Sequence, residues 1–190
     1  MYNMVIFGPP GCGKGTQAAK IVKNFGFLHV STGDLIRKEI ASGTQMGKLY
    51  NKFISRGMLV PDQLILKELY RFALNNKDAS GMIFDGFPRT LYQAQMLDRI
   101  FFKKDMKIAL VISIEVPEEK LIARIVERGK TSGRSDDNEV VMSNRLMVYF
   151  SQTQPVIDYY RKTKRLFSID GDQSIDTVAT IIDEIIKIHK

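Results

Sequence analysis

The feature that most constrains this chain is the stretch Gly8-Pro9-Pro10-Gly11-Cys12-Gly13-Lys14-Gly15-Thr16. It follows a short unbroken apolar run, Met4-Val5-Ile6-Phe7, and precedes a helix-like segment, Gln17 to Phe25. A glycine-rich turn between a strand and a helix lets the backbone curl so that several N–H groups face one phosphate. The helix N-terminus adds partial positive charge there, and Lys14 adds a full charge. A dinucleotide turn is excluded, because G-x-G-x-x-G needs a glycine where Thr16 follows Gly11 and Gly13. The general phosphate-loop pattern has Ser or Thr directly after the lysine. Here Gly15 intervenes, so Thr16 is left unassigned as a magnesium ligand.

The rest of the chain alternates strand-like and helix-like segments. Phe27-Leu28-His29-Val30, Met82-Ile83-Phe84, Ile108 to Ile114 and Leu166-Phe167-Ser168-Ile169 are short apolar runs without alternation. Such runs suit strands covered on both faces, as in a parallel sheet. Pro117 to Arg128 predicts a helix, with proline in the first turn and Glu118 and Glu119 at the end a helix dipole favours. Pro61 opens another helix, and Ile175, Val178, Ile182 and Ile185 give a last one an apolar stripe. This alternation predicts an α/β fold of three layers, a five-stranded parallel sheet flanked by helices. Residues 31–60, with glycines at 33, 43, 47 and 57, and the polar stretch 129–137 do not fit it. Both are expected to be flaps over a site.

Composition narrows the classes. A chain of 190 residues, 44% apolar, fits one domain with a real core. No apolar run approaches the roughly 18 residues of a membrane span, and the N-terminus lacks a secretory pattern. One cysteine cannot form an internal disulfide or a four-cysteine zinc site, which favours a reducing compartment, the cytoplasm. The net charge of +7 is spread along the chain, with neither zinc-finger spacing nor an RNA-binding aromatic pattern, so no nucleic-acid partner is expected. A basic balance also suits a pocket that holds two polyphosphates. Asn76-Lys77-Asp78-Ala79 misplaces the aspartate of a guanine-reading N-K-x-D motif, which excludes a GTPase switch. His29 and His189 lie in no motif and are expected to be structural or exposed.

The loop form GxPGxGKGT resembles that of the nucleoside monophosphate kinases, and of the adenylate kinases in particular. Ser31-Thr32-Gly33-Asp34-Leu35-Ile36-Arg37 is similar to the start of that family's monophosphate-binding flap. Asp85-Gly86-Phe87-Pro88-Arg89 is similar to its second signature, and Gly133 to Asn138 followed by Asn144-Arg145-Leu146 to its lid and the helix behind it. These motifs stand in the family's order across nearly the whole chain. The resemblance implies a P-loop core at residues 1–30, 61–127 and 138–190, an AMP-binding flap at 31–60 and a short lid without zinc at 128–137. It implies a monomer that moves phosphoryl reversibly from MgATP to AMP, giving two ADP.

The resemblance also assigns residues. Gly11, Cys12, Gly13, Lys14, Gly15, Thr16, Arg128 and Gln173 would bind ATP. Thr32, Arg37, Met58, Leu59, Val60, Gly86, Phe87, Pro88, Arg89, Gln93, Arg134 and Arg145 would bind AMP. Lys14, Arg89, Arg128, Arg134 and Arg145 would carry the catalysis, and Asp85 would orient magnesium through water. Arg124 shares a helix face with Arg128 and is a weaker candidate. Asp34, Asp136 and Asp137 are alternatively helix caps. The chemistry suits arginine, since the acceptor oxygen is already anionic and the difficulty lies in aligning two polyanions away from water. Two readings stay open beside AMP kinase. The lid motif is similar to that of UMP/CMP kinases, against which Thr32 and Gln93 argue for adenine. The other is a non-catalytic P-loop interaction protein.

Overall fold

The computed structural model describes residues 1–76, 79–103, 106–132 and 139–190. Five parallel strands form one sheet: β1 (Tyr2–Phe7), β2 (Leu28–Ser31), β3 (Gly81–Asp85), β4 (Ile108–Glu115) and β5 (Leu166–Asp170), in the order β2-β3-β1-β4-β5. The expected sheet is therefore present, with each strand within a few residues of its apolar run. The helices are α1 (Lys14–Phe25), α2 (Thr32–Ala41), α3 (Gln45–Ile54), α4 (Asp62–Asn75), α5 (Leu91–Phe102), α6 (Glu118–Ser132), α7 (Glu139–Val148), α8 (Gln154–Lys162) and α9 (Ile175–His189).

Alternate side chains of β1 feed opposite cores, which is why the run could be apolar throughout. Val5 and Phe7 pack with Phe84, Val111, Leu97 and Tyr160 on one face. Met4 and Ile6 pack with Ile83, Ile112, Leu121 and Ile182 on the other. Full burial of each such side chain contributes about 1.5–3 kcal/mol, so both helix layers are held to the sheet.

Polar side chains start the helices. Ser31 accepts from the Asp34 N–H at 3.2 Å and opens α2, so Asp34 is a first-turn residue and not the cap. Thr90 accepts from the Gln93 N–H at 3.2 Å and opens α5. Residues 31–60 fold into the α2–α3 pair, and α6 continues through Ser132 rather than ending near Arg128. Residues 133–138, including Arg134, Asp136 and Asp137, lie outside the described residues, as do Lys77 and Asp78. Between α7 and α8 the helix widens into a π-helical turn, Tyr149–Thr153. Pro155, in the first turn of α8, has no N–H to give the Ser151 carbonyl, which accounts for the widening.

Candidate active site

β1 is the strand from which the sheet builds outward in both directions. In open α/β sheets, ligands settle in the crevice at the carboxyl ends beside such a strand. A cleft of about 590 Å³ opens there, lined by the Gly8–Thr16 loop, Asp85, Arg89, Arg124, Arg128 and Arg145, among others. A smaller one, about 40 Å³, lies under Thr32, Met58, Leu59, Val60 and Gln93. Gly86, Arg37, Arg89 and Arg145 line both, so the two share a wall.

The loop is braced from within. Lys14 Nζ donates to the Gly8 carbonyl at 2.6 Å and to that of Pro9 at 3.0 Å, and it lies 3.7 Å from Cys12 Sγ. Gly11 has φ +85°, and a Cβ there would sit 2.7 Å from Ile125 Cγ1, so the loop needs glycine at this point to rest on α6. Cys12 is buried, and its N–H is given to the Pro9 carbonyl. Its side chain thus packs beneath the loop rather than lining the cleft.

Asp85, at the end of β3, faces the loop; a Cβ placed on Gly15 would be 3.9 Å from its Oδ2. His29 Nε2 lies 3.3 Å from that same oxygen. Burial acts to raise the Asp85 carboxyl, but the His29 hydrogen bond and the fields of Lys14, His29 and Arg89 outweigh it. The group is held below the ordinary carboxylate value. His29 is thus not a bystander: it lines the cleft and holds the carboxylate. The apolar run around it, Phe27 to Val30, carries no motif that marks this role, and the sequence predicts only a structural or exposed residue there. His189, as expected, is exposed, its ring 4.7 Å from that of Phe167 and tilted by 48°.

The wall between the clefts is a hydrogen-bonded network. The Gly86 carbonyl accepts from Thr32 Oγ1 at 2.7 Å and from Arg89 Nε at 2.8 Å. The Arg89 N–H donates to Gln93 Oε1 at 2.7 Å, and Thr153 Oγ1 donates to the Arg89 carbonyl at 3.0 Å. Gln93 is 2% exposed, so its amide is held within the wall and away from solvent. Arg37 reaches Asp34, and Arg145 Nη1 lies 3.5 Å from Met142 Sδ. Arg124 donates to the Gly171 carbonyl at 3.1 Å and pairs with Asp172.

Most of the predicted residues therefore meet around the two clefts. Of those among the described residues, three do not line them. Cys12 is covered, Phe87 is 1% exposed in the core, and Gln173 is exposed and bonded to Asp170 at 3.3 Å. Sequence reasoning missed Tyr149 and Thr153, which reach the cleft from the π-helical turn. Burial, with smaller contributions from Cys12 and Glu115, raises the Tyr149 hydroxyl well above its ordinary value, so it stays a neutral wall group.

A phosphate loop at a switch point, a carboxylate facing it and arginines from several elements around one cleft define a nucleotide-binding phosphotransferase of the P-loop class. A family model described as adenylate kinase matches residues 6–165. The chain is 45% identical over 184 residues to an adenylate kinase of Bacteroides thetaiotaomicron, covering 97% of either chain. It is 44% identical to one of Phocaeicola vulgatus, over 94% of each, and 42% identical to adenylate kinase 1 of a Synechocystis strain, over 97% of each. This chain belongs to the adenylate kinase family, the ATP:AMP phosphotransferases.

Proposed function

We propose that the larger cleft takes MgATP on its loop side, that the smaller one takes the adenosine of AMP, and that phosphoryl passes reversibly at their shared wall to give two ADP. The observation that carries this reading is that wall: Arg37, Arg89 and Arg145 line both clefts, while Lys14 and Arg128 line only the larger. Lys14 and the loop N–H groups hold the ATP phosphates, with Arg128 beside them. Arg37 and Arg89 hold the AMP phosphate. Arg145 neutralises the transferring group, and Arg134, outside the described residues, is assigned the same task by resemblance. No base is needed, because the attacking oxygen carries its charge already; catalysis is alignment plus charge stabilisation.

Asp85 fits magnesium held with ATP, since a single carboxylate leaves the ion room for phosphate and water oxygens. Thr32 and Gln93 read the acceptor base as adenine, with Met58, Leu59 and Val60 as its apolar wall. Residues 31–60 and the lid at 128–137 close over the core and exclude water. Among the described residues no helix is long and apolar enough to cross a membrane. We place the protein in the cytoplasm as a monomer without zinc in its lid, in keeping with its single buried cysteine.

Arg89→Ala tests the shared wall. At limiting AMP its rate should fall at least a hundredfold, with the KM for ATP changed far less. An unchanged rate at limiting AMP removes Arg89 from the acceptor site.

A further inference from the structure

The Gln93 amide is held at both ends. Its Oε1 accepts from the Arg89 N–H at 2.7 Å, and its Nε2 donates to Asp62 Oδ1 at 2.7 Å. A backbone N–H can only donate and a carboxylate can only accept. Exchanging the amide's oxygen and nitrogen would set donor against donor at one end and acceptor against acceptor at the other. Gln93 is 2% exposed, so water does not relieve either clash. Asp62 is itself fixed, because its second oxygen accepts from Thr90 Oγ1 at 2.9 Å. An acid in the first turn of α4 is favoured by the helix dipole alone. That preference does not require both of its oxygens to meet side chains of α5.

The amide retains one N–H and one lone pair with no other partner among the described residues, and Gln93 lines the smaller cleft. An adenine edge accepts at N1 and donates from its amino group, which matches that pair. A 6-oxopurine presents the reverse, donating at N1 and accepting at O6, and only a flipped amide would serve it.

We propose that Asp62 is a specificity-determining positioning residue: with the Arg89 N–H, it locks the Gln93 amide in the adenine-reading orientation and denies the flip that would admit a 6-oxopurine monophosphate. The proposal rests on Gln93 reading the base, as argued above. Only Pro61 separates Asp62 from the Met58–Val60 wall, so the same carboxylate joins the end of the flap to the acceptor site.

The test compares kcat/KM for AMP and for inosine monophosphate in the unmodified protein, in Asp62→Asn and in Gln93→Ala. Asparagine nearly keeps the shape of aspartate but can face either orientation of the amide. Asp62→Asn is expected to lower the AMP:inosine monophosphate ratio about tenfold while the KM for ATP stays within about twofold. Asp62→Ser, whose hydroxyl donates or accepts, is expected to do the same and serves if the asparagine variant does not fold. A lower ratio in Gln93→Ala with an unchanged ratio in both Asp62 variants overturns the proposal and leaves Gln93 as the reader. An unchanged ratio in Gln93→Ala overturns the reading of Gln93 itself, and the proposal with it.

Discussion

The Thr153 hydroxyl donates to the backbone carbonyl of Arg89 at 3.0 Å, across 64 residues of sequence. Thr153 is 4% exposed and closes the π-helical turn. The wide turn thus supports Arg89 from behind, while Gln93 holds its N–H from the other side. Thr153→Val keeps the volume and removes the donor. Leaving that carbonyl without the bond costs about 1–2 kcal/mol. We expect the KM for AMP to rise about 5- to 30-fold, with the KM for ATP nearly unchanged, as steady-state kinetics at varied AMP and varied ATP would show. Equal effects on both substrates would place Thr153 in general stability instead.

Lys14 joins the loop's own carbonyls to the cleft it lines. Lys14→Met matches its length without its charge or donors. On the proposed role, in which the lysine stabilises charge on the phosphates, kcat should fall about 10²- to 10³-fold. The fold itself rests on the two cores flanking β1, so the circular dichroism spectrum should not change.

Asp85 tests the placement of magnesium. Asp85→Asn keeps the shape and the capacity to face His29 but removes the charge. The magnesium concentration giving half the maximal rate should rise at least about tenfold at fixed ATP. A magnesium titration identical to that of the unmodified protein would show that the carboxylate holds His29 and nothing more.

Gly11→Ala tests the loop's backbone. A methyl there meets Ile125 Cγ1 at 2.7 Å, in a backbone conformation that side chains rarely adopt. We expect about 1–3 kcal/mol of destabilisation, seen as a lower Tm, and weaker ATP binding by calorimetry. Gly13→Ala is the informative partner: it carries the same sign of φ with no atom within 4 Å of the added Cβ, so its loss should be smaller.

The strands and the loop were legible because each is a local signal. An apolar run such as Ile108 to Ile114 has one reading in an alternating chain, and β4 spans Ile108–Glu115. The residues that missed their place did so for non-local reasons. His29 gains its role only when β2 pairs with β3 and brings it beside Asp85. Gln93, assigned to the AMP site by resemblance, does line the smaller cleft, but its clamp by Asp62, 31 residues earlier, had no local signal. The π-helical turn follows from one missing N–H at Pro155, and its consequence appears at Arg89, far away in the chain. Gln173 was carried over from the family by position alone, and the β5–α9 loop turns it onto Asp170.

The most direct measurement is a coupled assay of the purified protein with MgATP and each of AMP, UMP, CMP and GMP. AMP should be the preferred acceptor, with the largest kcat/KM of the four and ADP as the only product. A higher kcat/KM for UMP or CMP would contradict the adenine reading by Thr32 and Gln93, and no turnover with any of them would contradict the phosphotransferase site.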